Sequence, residues 1–336
     1  MAIKIIYMNV VIIGCGLIGF KRAKALLNAK LVGCADVDVL KAENFSKTFG
    51  NIAFYTNSNE LLDNVNSDIV IICTPHNQLP EIIKQAVLKG RHVLVEKPAG
   101  RFAEELIDIE NLAKQNKCNV RIGFNHRYHR AFRKANEIIK TGDLGELYFI
   151  RSRYGHGGRV GYNNEWRANP AISGGGELID QGSHLIDLSR MFLGNFSIVE
   201  GFAKNYFWDM PVDDNAFLTL TTEKGQTAFL QASCTEWKNL FSFEIYGKYG
   251  KLDINGLGGS YGVERLAYYK MAPEMGPPET TIWEYPMTDD SWEFEFNEFL
   301  NDIVTNTPSS PGLQDAIENL KIINKIYKNS GYDYNT

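Results

Sequence analysis

One short stretch constrains the fold more than any other: Gly14-Cys15-Gly16-Leu17-Ile18-Gly19, set between the apolar run Val10-Val11-Ile12-Ile13 and the helix-patterned segment Phe20 to Ala29. Glycine patterns of this kind also arise by chance in ordinary turns. Between a strand and a helix the pattern gains a physical meaning. Gly14 permits the tight turn, Gly16 lets the backbone approach a pyrophosphate, and Gly19 lets the helix pack closely on the sheet. The helix start at Leu17 and Ile18 offers free N–H groups to the anion. A dinucleotide is the expected ligand. The next apolar run, Leu31-Val32-Gly33-Cys34-Ala35, ends in Asp36, 22 residues after Gly14, where a carboxylate accepts hydrogen bonds from an adenosine ribose. The same charge repels a 2′-phosphate, so NAD is favoured over NADP; a solvated loop acid is the alternative.

At 336 residues the chain exceeds what one core usually supports, so two domains are expected. With 44% hydrophobic and 22% charged residues the composition is that of an ordinary globular protein. A net charge of −5 without a long basic run argues against nucleic acid or an anionic membrane as the main partner and favours a small molecule. The five cysteines, Cys15, Cys34, Cys73, Cys118 and Cys234, show neither zinc spacing nor a disulfide framework and read as reduced, buried thiols of a cytoplasmic protein. Met1 to Tyr7 leads straight into the first strand without the pattern of a cleavable signal, Met8 is an alternative start, and no apolar run is long enough to span a membrane.

From Met8 to Gly123, short apolar runs alternate with helical periodicity. This is the pattern of a parallel sheet covered by helices on both faces. Strands are expected at Val10 to Ile13, Leu31 to Ala35, Ala53 to Tyr55, Ile69 to Ile72, His92 to Val95 and Val120 to Gly123, which together make a doubly wound Rossmann domain over residues 1–125. Ligands of such sheets sit beyond the carboxyl ends of the strands. That singles out Cys73, Thr74, Pro75 and His76, then Glu96, Lys97 and Pro98, then Phe124 and Asn125. Residues 126–336 form a second α/β domain. A helix at about Ala131 to Lys140 precedes alternating, aromatic-rich runs at Glu146 to Arg153, Ile198 to Phe207, Ala216 to Thr221, Thr227 to Cys234, Phe241 to Tyr246 and Leu266 to Tyr269, a large, mostly antiparallel sheet. A helix from about Gly175 to Phe192 interrupts it. Helices at Trp292 to Thr305 and Leu313 to Lys328, parted by the breaker Pro308 to Gly312, close the chain and are candidates to pack back on the first domain.

On the interrupting helix, Asp180, His184 and Asp187 fall at i, i+4 and i+7, on one face, with Leu178, Leu185 and Leu188 on another. Gly182 inside a helix costs about 1 kcal/mol relative to Ala, which implies a close approach to the backbone there. A buried histidine partnered by Asp180 for purely structural reasons fits the spacing equally well. Lys97 follows the fifth strand where a nicotinamide would lie, and Pro98 restricts its backbone; a surface loop lysine is the other possibility. Oxidising a secondary alcohol needs a hydride to leave carbon and a proton to leave oxygen for a base. A histidine near neutrality, a lysine orienting the hydroxyl and a carboxylate tuning both would serve.

Three motifs together, Glu96-Lys97-Pro98, the glycine-led run from Gly174 to Asp187, and Gly123-Phe124-Asn125-His126-Arg127-Tyr128, resemble the Gfo/Idh/MocA oxidoreductases across nearly the whole chain. The resemblance implies a Rossmann domain followed by an α/β domain whose open sheet packs between subunits in homodimers or homotetramers. It also implies that Lys97, Asp180 and His184 form the catalytic group, with His184 as general acid-base and Lys97 on the reacting hydroxyl, that Asn125 lies near the nicotinamide ribose, and that Lys97–Pro98 is cis. In one departure, family members often carry a histidine five residues after the Thr of Thr-Pro, where this chain has Leu79, with His76 earlier.

The segment from Arg153 through Tyr154, His156, Arg159, Trp166 and Arg167 precedes the catalytic helix. It is rich in groups that stack on sugars and fork onto anions, and is expected, with Arg127, to contact substrate; an aromatic and basic loop at a subunit interface is the alternative. Arg153, Arg159 and Arg167 hint at an acidic sugar or a nucleotide-sugar, unless they pair with Glu165 or Glu177. The leading expectation is an NAD-dependent oxidoreductase acting on a secondary alcohol or ketone of a sugar, nucleotide-sugar or cyclitol. An NAD-dependent glycosidase with transient oxidation and a non-catalytic dinucleotide sensor are the alternatives.

Overall fold

The computed structural model describes residues 7–272, 274 and 276–334; apart from Tyr7, the N-terminal stretch considered above lies outside them. Two compact units emerge: Met1–Phe124 with Trp292–Ile317, and Asn125–Ser291 with Glu318–Thr336.

In the first unit, β1 (Met8–Ile13), β2 (Ala29–Ala35), β3 (Ala53–Tyr55), β4 (Ile69–Ile72), β5 (His92–Glu96) and β6 (Val120–Gly123) form one parallel sheet in the order β3-β2-β1-β4-β5-β6. This is the Rossmann arrangement expected from the sequence. β1 and β4 are near-continuous apolar runs because helices cover both faces of a parallel sheet; Val10, Val11, Ile12 and all of β4 have no exposed surface. The connecting helices are α1 (Leu17–Lys24), α2 (Val39–Thr48), α3 (Ser58–Asn64), α4 (Leu79–Leu88) and α5 (Glu104–Gln115). Asp38 and Asn57 start α2 and α3 by accepting the first free N–H groups.

The second unit contains α6 (Arg130–Thr141), α7 (Pro170–Ser173) and α8 (Ser183–Leu193). The late helices α9 (Ser291–Thr305) and α10 (Leu313–Asn329) complete the set. α9 carries Phe296 and Phe299 into the cluster formed by Val10, Ile12, Phe45, Ile69, Ile71 and Leu94, so a segment about 170 residues beyond the sheet's last strand helps to build its core. Two buried arginines fasten it. Arg22 of α1 pairs with Glu295, and Arg121 of β6 with Glu298 and Asp302.

The second unit's sheet has eight strands, β7 (Leu147–Gly155), β8 (Phe196–Lys204), β9 (Asn215–Thr222), β10 (Thr227–Ser233), β11 (Leu240–Gly247), β12 (Gly250–Asn255), β13 (Glu264–Lys270) and β14 (Glu279–Tyr285), in the order β14-β13-β12-β11-β7-β10-β9-β8. Every pairing is antiparallel except β7 with β10. Alternation along β7 buries Ile150, Ser152 and Tyr154 and exposes Phe149, Arg151 and Arg153. Two strands, β12 and β14, were not apparent in the sequence, and β8 stops at Lys204 rather than at Phe207. β12 is a short strand with only Leu252 and Ile254 as apolar side chains, while β14 is edge-exposed and polar.

The helix expected from about Gly175 to Phe192 is in two parts: a π-helical turn, Leu178–Gly182, leads into α8. The wider turn removes the simple i, i+4, i+7 register inferred for Asp180, His184 and Asp187. Gly182 does meet a close approach, from the protein itself: a Cβ there would lie 3.0 Å from the Leu178 side chain and 3.5 Å from Ala232. Four cysteines are buried, Cys73 is half-buried, and none is in a disulfide.

Candidate active site

In the first unit the glycine turn behaves as its chemistry requires. Gly14 has φ +98°, and a Cβ on it would come within 2.6 Å of the Cys73 backbone; one on Gly19 would come within 2.1 Å of the Gly14 carbonyl oxygen. A side chain at either position would force β1 and α1 apart. Gly16 differs, since a Cβ there meets no atom within 4 Å. It opens onto the start of α1, which has no side-chain cap, and Leu17 beside it is 75% exposed. The Asp36 carboxylate accepts N–H bonds from Cys15 (2.8 Å) and Asp38 (2.9 Å), which fix it beside this turn. After β4, the Thr74 hydroxyl is buried without a hydrogen-bond partner among the described residues. An uncapped helix start, an open cradle over Gly16, an oriented carboxylate and an orphaned hydroxyl fit a dinucleotide.

His76 is buried in a 3-10 turn, His76–Gln78, and Leu79, the position at which the resemblance departs, is fully buried at the start of α4. Glu96 is held in an ion pair. Its carboxylate accepts from the buried Arg22 (2.7 Å), whose guanidinium lies 4.3 Å from the Trp292 ring centre. This pairing anchors the end of β5, where the Lys97–Pro98 peptide is cis and the Lys97 side chain is half-buried.

In the second unit, His184 lies on the first turn of α8 and is 5% exposed. Its ring stacks on that of His126, with centroids 3.7 Å apart and planes at 30°. His126 is in turn 3.2 Å from the Asn125 side-chain oxygen, and Asn125 donates to Ser291 at 3.0 Å. Tyr154 packs on both imidazoles and on Tyr261. Burial, then its neighbour Tyr261, hold the Tyr154 hydroxyl well above its usual range, while Tyr261, itself pushed up chiefly by burial to about 12, bonds Tyr154 and Gln181. Asp180, on the π turn, accepts from Arg167 at 2.9 Å, and Arg167 lies over Trp166 at 4.5 Å. The buried Glu177 stands 3.5 Å from both His156 and the Tyr162 hydroxyl. Burial lowers the His156 pKa, which favours its neutral form.

The start of this helix is built by long-range contacts. Asp213 accepts the N–H groups of Gly176 and Leu178, each at 2.8 Å, and the Tyr327 hydroxyl accepts those of Gly176 (3.1 Å) and Ile179 (3.2 Å). A Cβ on Gly176 would fall 1.9 Å from the Asp213 carbonyl oxygen, and one on Gly175 2.2 Å from the Tyr327 hydroxyl. The glycine run is therefore a packing requirement of this helix start.

Several expected substrate contacts are engaged differently. Arg127 forks onto the buried Asp187 at 2.7 and 2.6 Å, so Asp187 belongs to this ion pair. Arg159 pairs with Glu165 on an exposed loop, and Arg153 emerges on the face of β7 opposite Tyr154. Only Arg167 of the three arginines joins the Asp180 cluster, where it is paired with Asp180. Sequence reasoning assigned no role to His126, Tyr261 or Asp213, and considered Glu177 only as a partner for the loop arginines. His126 lay inside a motif already noticed; the others sit in irregular loops or at a helix start, where no periodicity points to them.

A model described as the oxidoreductase family with an NAD-binding Rossmann fold matches residues 8–124, and one described as the GFO/IDH/MocA C-terminal domain matches residues 132–253. The chain belongs to the Gfo/Idh/MocA family of NAD-binding oxidoreductases. It is 27% identical to the levoglucosan dehydrogenase of Pseudarthrobacter phenanthrenivorans over 65% of this chain and 59% of the relative. It is 34% identical to the glucose-6-phosphate 3-dehydrogenase of Bacillus subtilis over 53% of this chain and 51% of the relative. The matches thus span little more than half the length of these relatives. Among solved structures, a chain from Desulfitobacterium hafniense described as an NADPH-dependent oxidoreductase superposes with a TM-score of 0.87 over 97% of this chain and 96% of its own. At 24% identity that likeness speaks for the fold and not for cofactor choice.

Proposed function

We propose that the protein transfers a hydride between NAD and a secondary alcohol or ketone of a sugar, nucleotide-sugar or cyclitol. The observation that carries this lies in the second unit: a buried imidazole at His184, stacked on His126, four residues after a carboxylate at Asp180 whose charge Arg167 balances. Bound NAD supplies the hydride acceptor for oxidation and the donor for reduction.

The chain's own groups do the rest. The N–H groups of Leu17 and Ile18 hold the pyrophosphate, Asp36 the adenosine ribose, and Thr74, with the backbone at Cys73, Pro75 and His76, the neighbouring edge of the cofactor; Asn125 serves the nicotinamide ribose. The Lys97 ammonium donates to the reacting oxygen, and its charge favours the alkoxide. His184 takes the hydroxyl proton on oxidation and returns it on reduction, while the His126 stack fixes its ring. Asp180, held by Arg167, favours the imidazolium that forms. Tyr154, His156 and Trp166 border the sugar. The dehydrogenase names of the relatives support a sugar substrate, and the exposed aromatic face of the eight-stranded sheet supports a second copy as partner.

The test is a panel of aldoses, ketoses, cyclitols and nucleotide-sugars with NAD or NADH, followed by absorbance of the reduced cofactor. Net cofactor turnover with at least one member is expected. Turnover with none in either direction would refute the proposal, and sugar cleavage without net NADH would replace it with a glycosidase.

A further inference from the structure

Two exposed aromatic rings stand next to this cluster with no part in the chemistry above. Trp237, in the turn between β10 and β11, is 64% exposed, and Phe207, beyond β8, is 58% exposed. They meet edge to face, with centroids 4.7 Å apart and planes at 87°. Trp237 also has φ +56°, a left-handed backbone that a bulky residue adopts only where the surroundings impose it. Such a conformation spent on a solvent-facing ring is a feature to be explained by what the ring meets.

A continuous line of contacts joins the two rings to the candidate site. The Trp237 backbone passes so close to Gly157 that a Cβ there would lie 3.0 Å away, and Trp208, packed on Phe207, leaves only 2.3 Å at Gly158. Trp208 is locked by its indole N–H, which donates to the Cys234 carbonyl at 2.9 Å, and its ring contacts Tyr162 with centroids 5.7 Å apart. Tyr162 reaches Glu177, one turn before Asp180. A rigid inner tryptophan, a strained outer one and a phenylalanine at right angles make a shelf that begins at the polar cluster and ends in solvent.

We propose that this shelf is an outer sugar-binding subsite, and that the substrate is a glycoside or disaccharide whose second ring rests on Trp237 and Phe207 while its first ring is oxidised. The C–H face of a pyranose is apolar and matches an aromatic plane, whereas its hydroxyl edge stays wet. This inference deepens the proposed function and rests on it for the chemistry, but its binding arm stands alone.

The experiment uses the full chain and matched pairs, glucose with cellobiose and myo-inositol with galactinol. For whichever pair is oxidised, the disaccharide KM is expected to be about tenfold or more below that of the single ring, the size of effect that one stacked ring provides. Trp237→Ala and Phe207→Ala should each raise the disaccharide KM several-fold and leave the monosaccharide KM and kcat unchanged, and Trp237→Tyr should restore most of the loss. Equal KM values within a pair for the unmodified protein would overturn the proposal whatever the variants do. So would variants that shrink the assembly without altering the disaccharide KM, because the shelf would then be a subunit contact. If no sugar reduces NAD, the proposed function fails, and the subsite is judged by binding alone. Quenching of tryptophan fluorescence by cellobiose or galactinol, abolished in Trp237→Ala, would sustain it, and no quenching would end it.

Discussion

Asp36 is the residue whose role depends least on the rest of the site. Its two backbone hydrogen bonds hold the carboxylate beside the Gly14 turn, and charge-assisted bonds to a ribose are worth roughly 1.5 to 3 kcal/mol. Asp36→Ala should therefore weaken NAD binding by about ten- to a hundred-fold in a fluorescence titration; tighter binding of NADP than of NAD by the unmodified protein would reverse the assignment. His184→Ala should lower turnover by about a hundred- to ten-thousand-fold with NAD affinity nearly unchanged, since the pyrophosphate and adenosine contacts proposed above belong to the first unit. Lys97→Ala should be comparably damaging, and the double variant should lose less than the product of the two, because groups that act as a unit are not additive. Near-normal turnover of the His184 variant would move the base to Asp180 or Lys97. At this scale the sequence was informative wherever a residue's chemistry was tied to a local pattern, as at Gly14 and Gly19, whose close backbone approaches the turn requires. It was uninformative where the partner came from far along the chain. Glu96 carries its partner 74 residues away at Arg22, and Arg127 is matched to Asp187 60 residues on.

Among the elements, the helix that carries His184 shows what a pattern cannot convey. Its leucines and glycines announced a helix, but not the π turn, nor that Asp213, 37 residues beyond Gly176, would supply its N-terminal acceptor. Burial is the main influence on Asp213 and pushes its carboxyl up to about 6, against the lowering effect of the Leu178 and Gly176 N–H groups. A folded-state pKa raised above the unfolded value means that the folded protein binds the proton more tightly. The contribution of Asp213 to stability is therefore fully present below about pH 4 and is lost as pH rises through about 6. Asp213→Asn abolishes that titration and turns one acceptor into a donor facing an N–H group. In urea melts the variant should be less stable than the parent, and its deficit should be smaller at pH 8 than at pH 5 by on the order of 1 kcal/mol. A deficit that grows with pH would show that the carboxylate, not the acid, is the favoured folded form.

For the molecule as a whole, the alternation of apolar runs and helices sufficed to read six parallel strands, because a sheet buried on both faces leaves so plain a trace. The second sheet was read less completely, since half of its residues answer to a face with no cover in the single chain. On that face the register sets Phe149 opposite Tyr246, Tyr246 opposite Lys251 and Lys251 opposite Tyr269, with Phe149 and Tyr246 stacked at 4.1 Å. Phe229, next along the face, is 51% exposed and Phe202 46% exposed. Amid them Glu244, which burial alone would push up, is held down at about 2 by hydrogen bonds from Arg151, Lys251 and Tyr246, so its charge is internally neutralised over the working pH range. Large aromatics around a neutralised ion cluster suit a self-complementary contact across a two-fold axis better than they suit water. The protein should sediment as a dimer or tetramer, and Phe149→Asp combined with Phe229→Asp should yield a monomer with unaltered NAD binding. Placing like charges at two mutually facing patches costs several kcal/mol of association, so partial dissociation at micromolar concentration is the least expected effect. A monomeric mass for the unmodified chain would refute this use of the face.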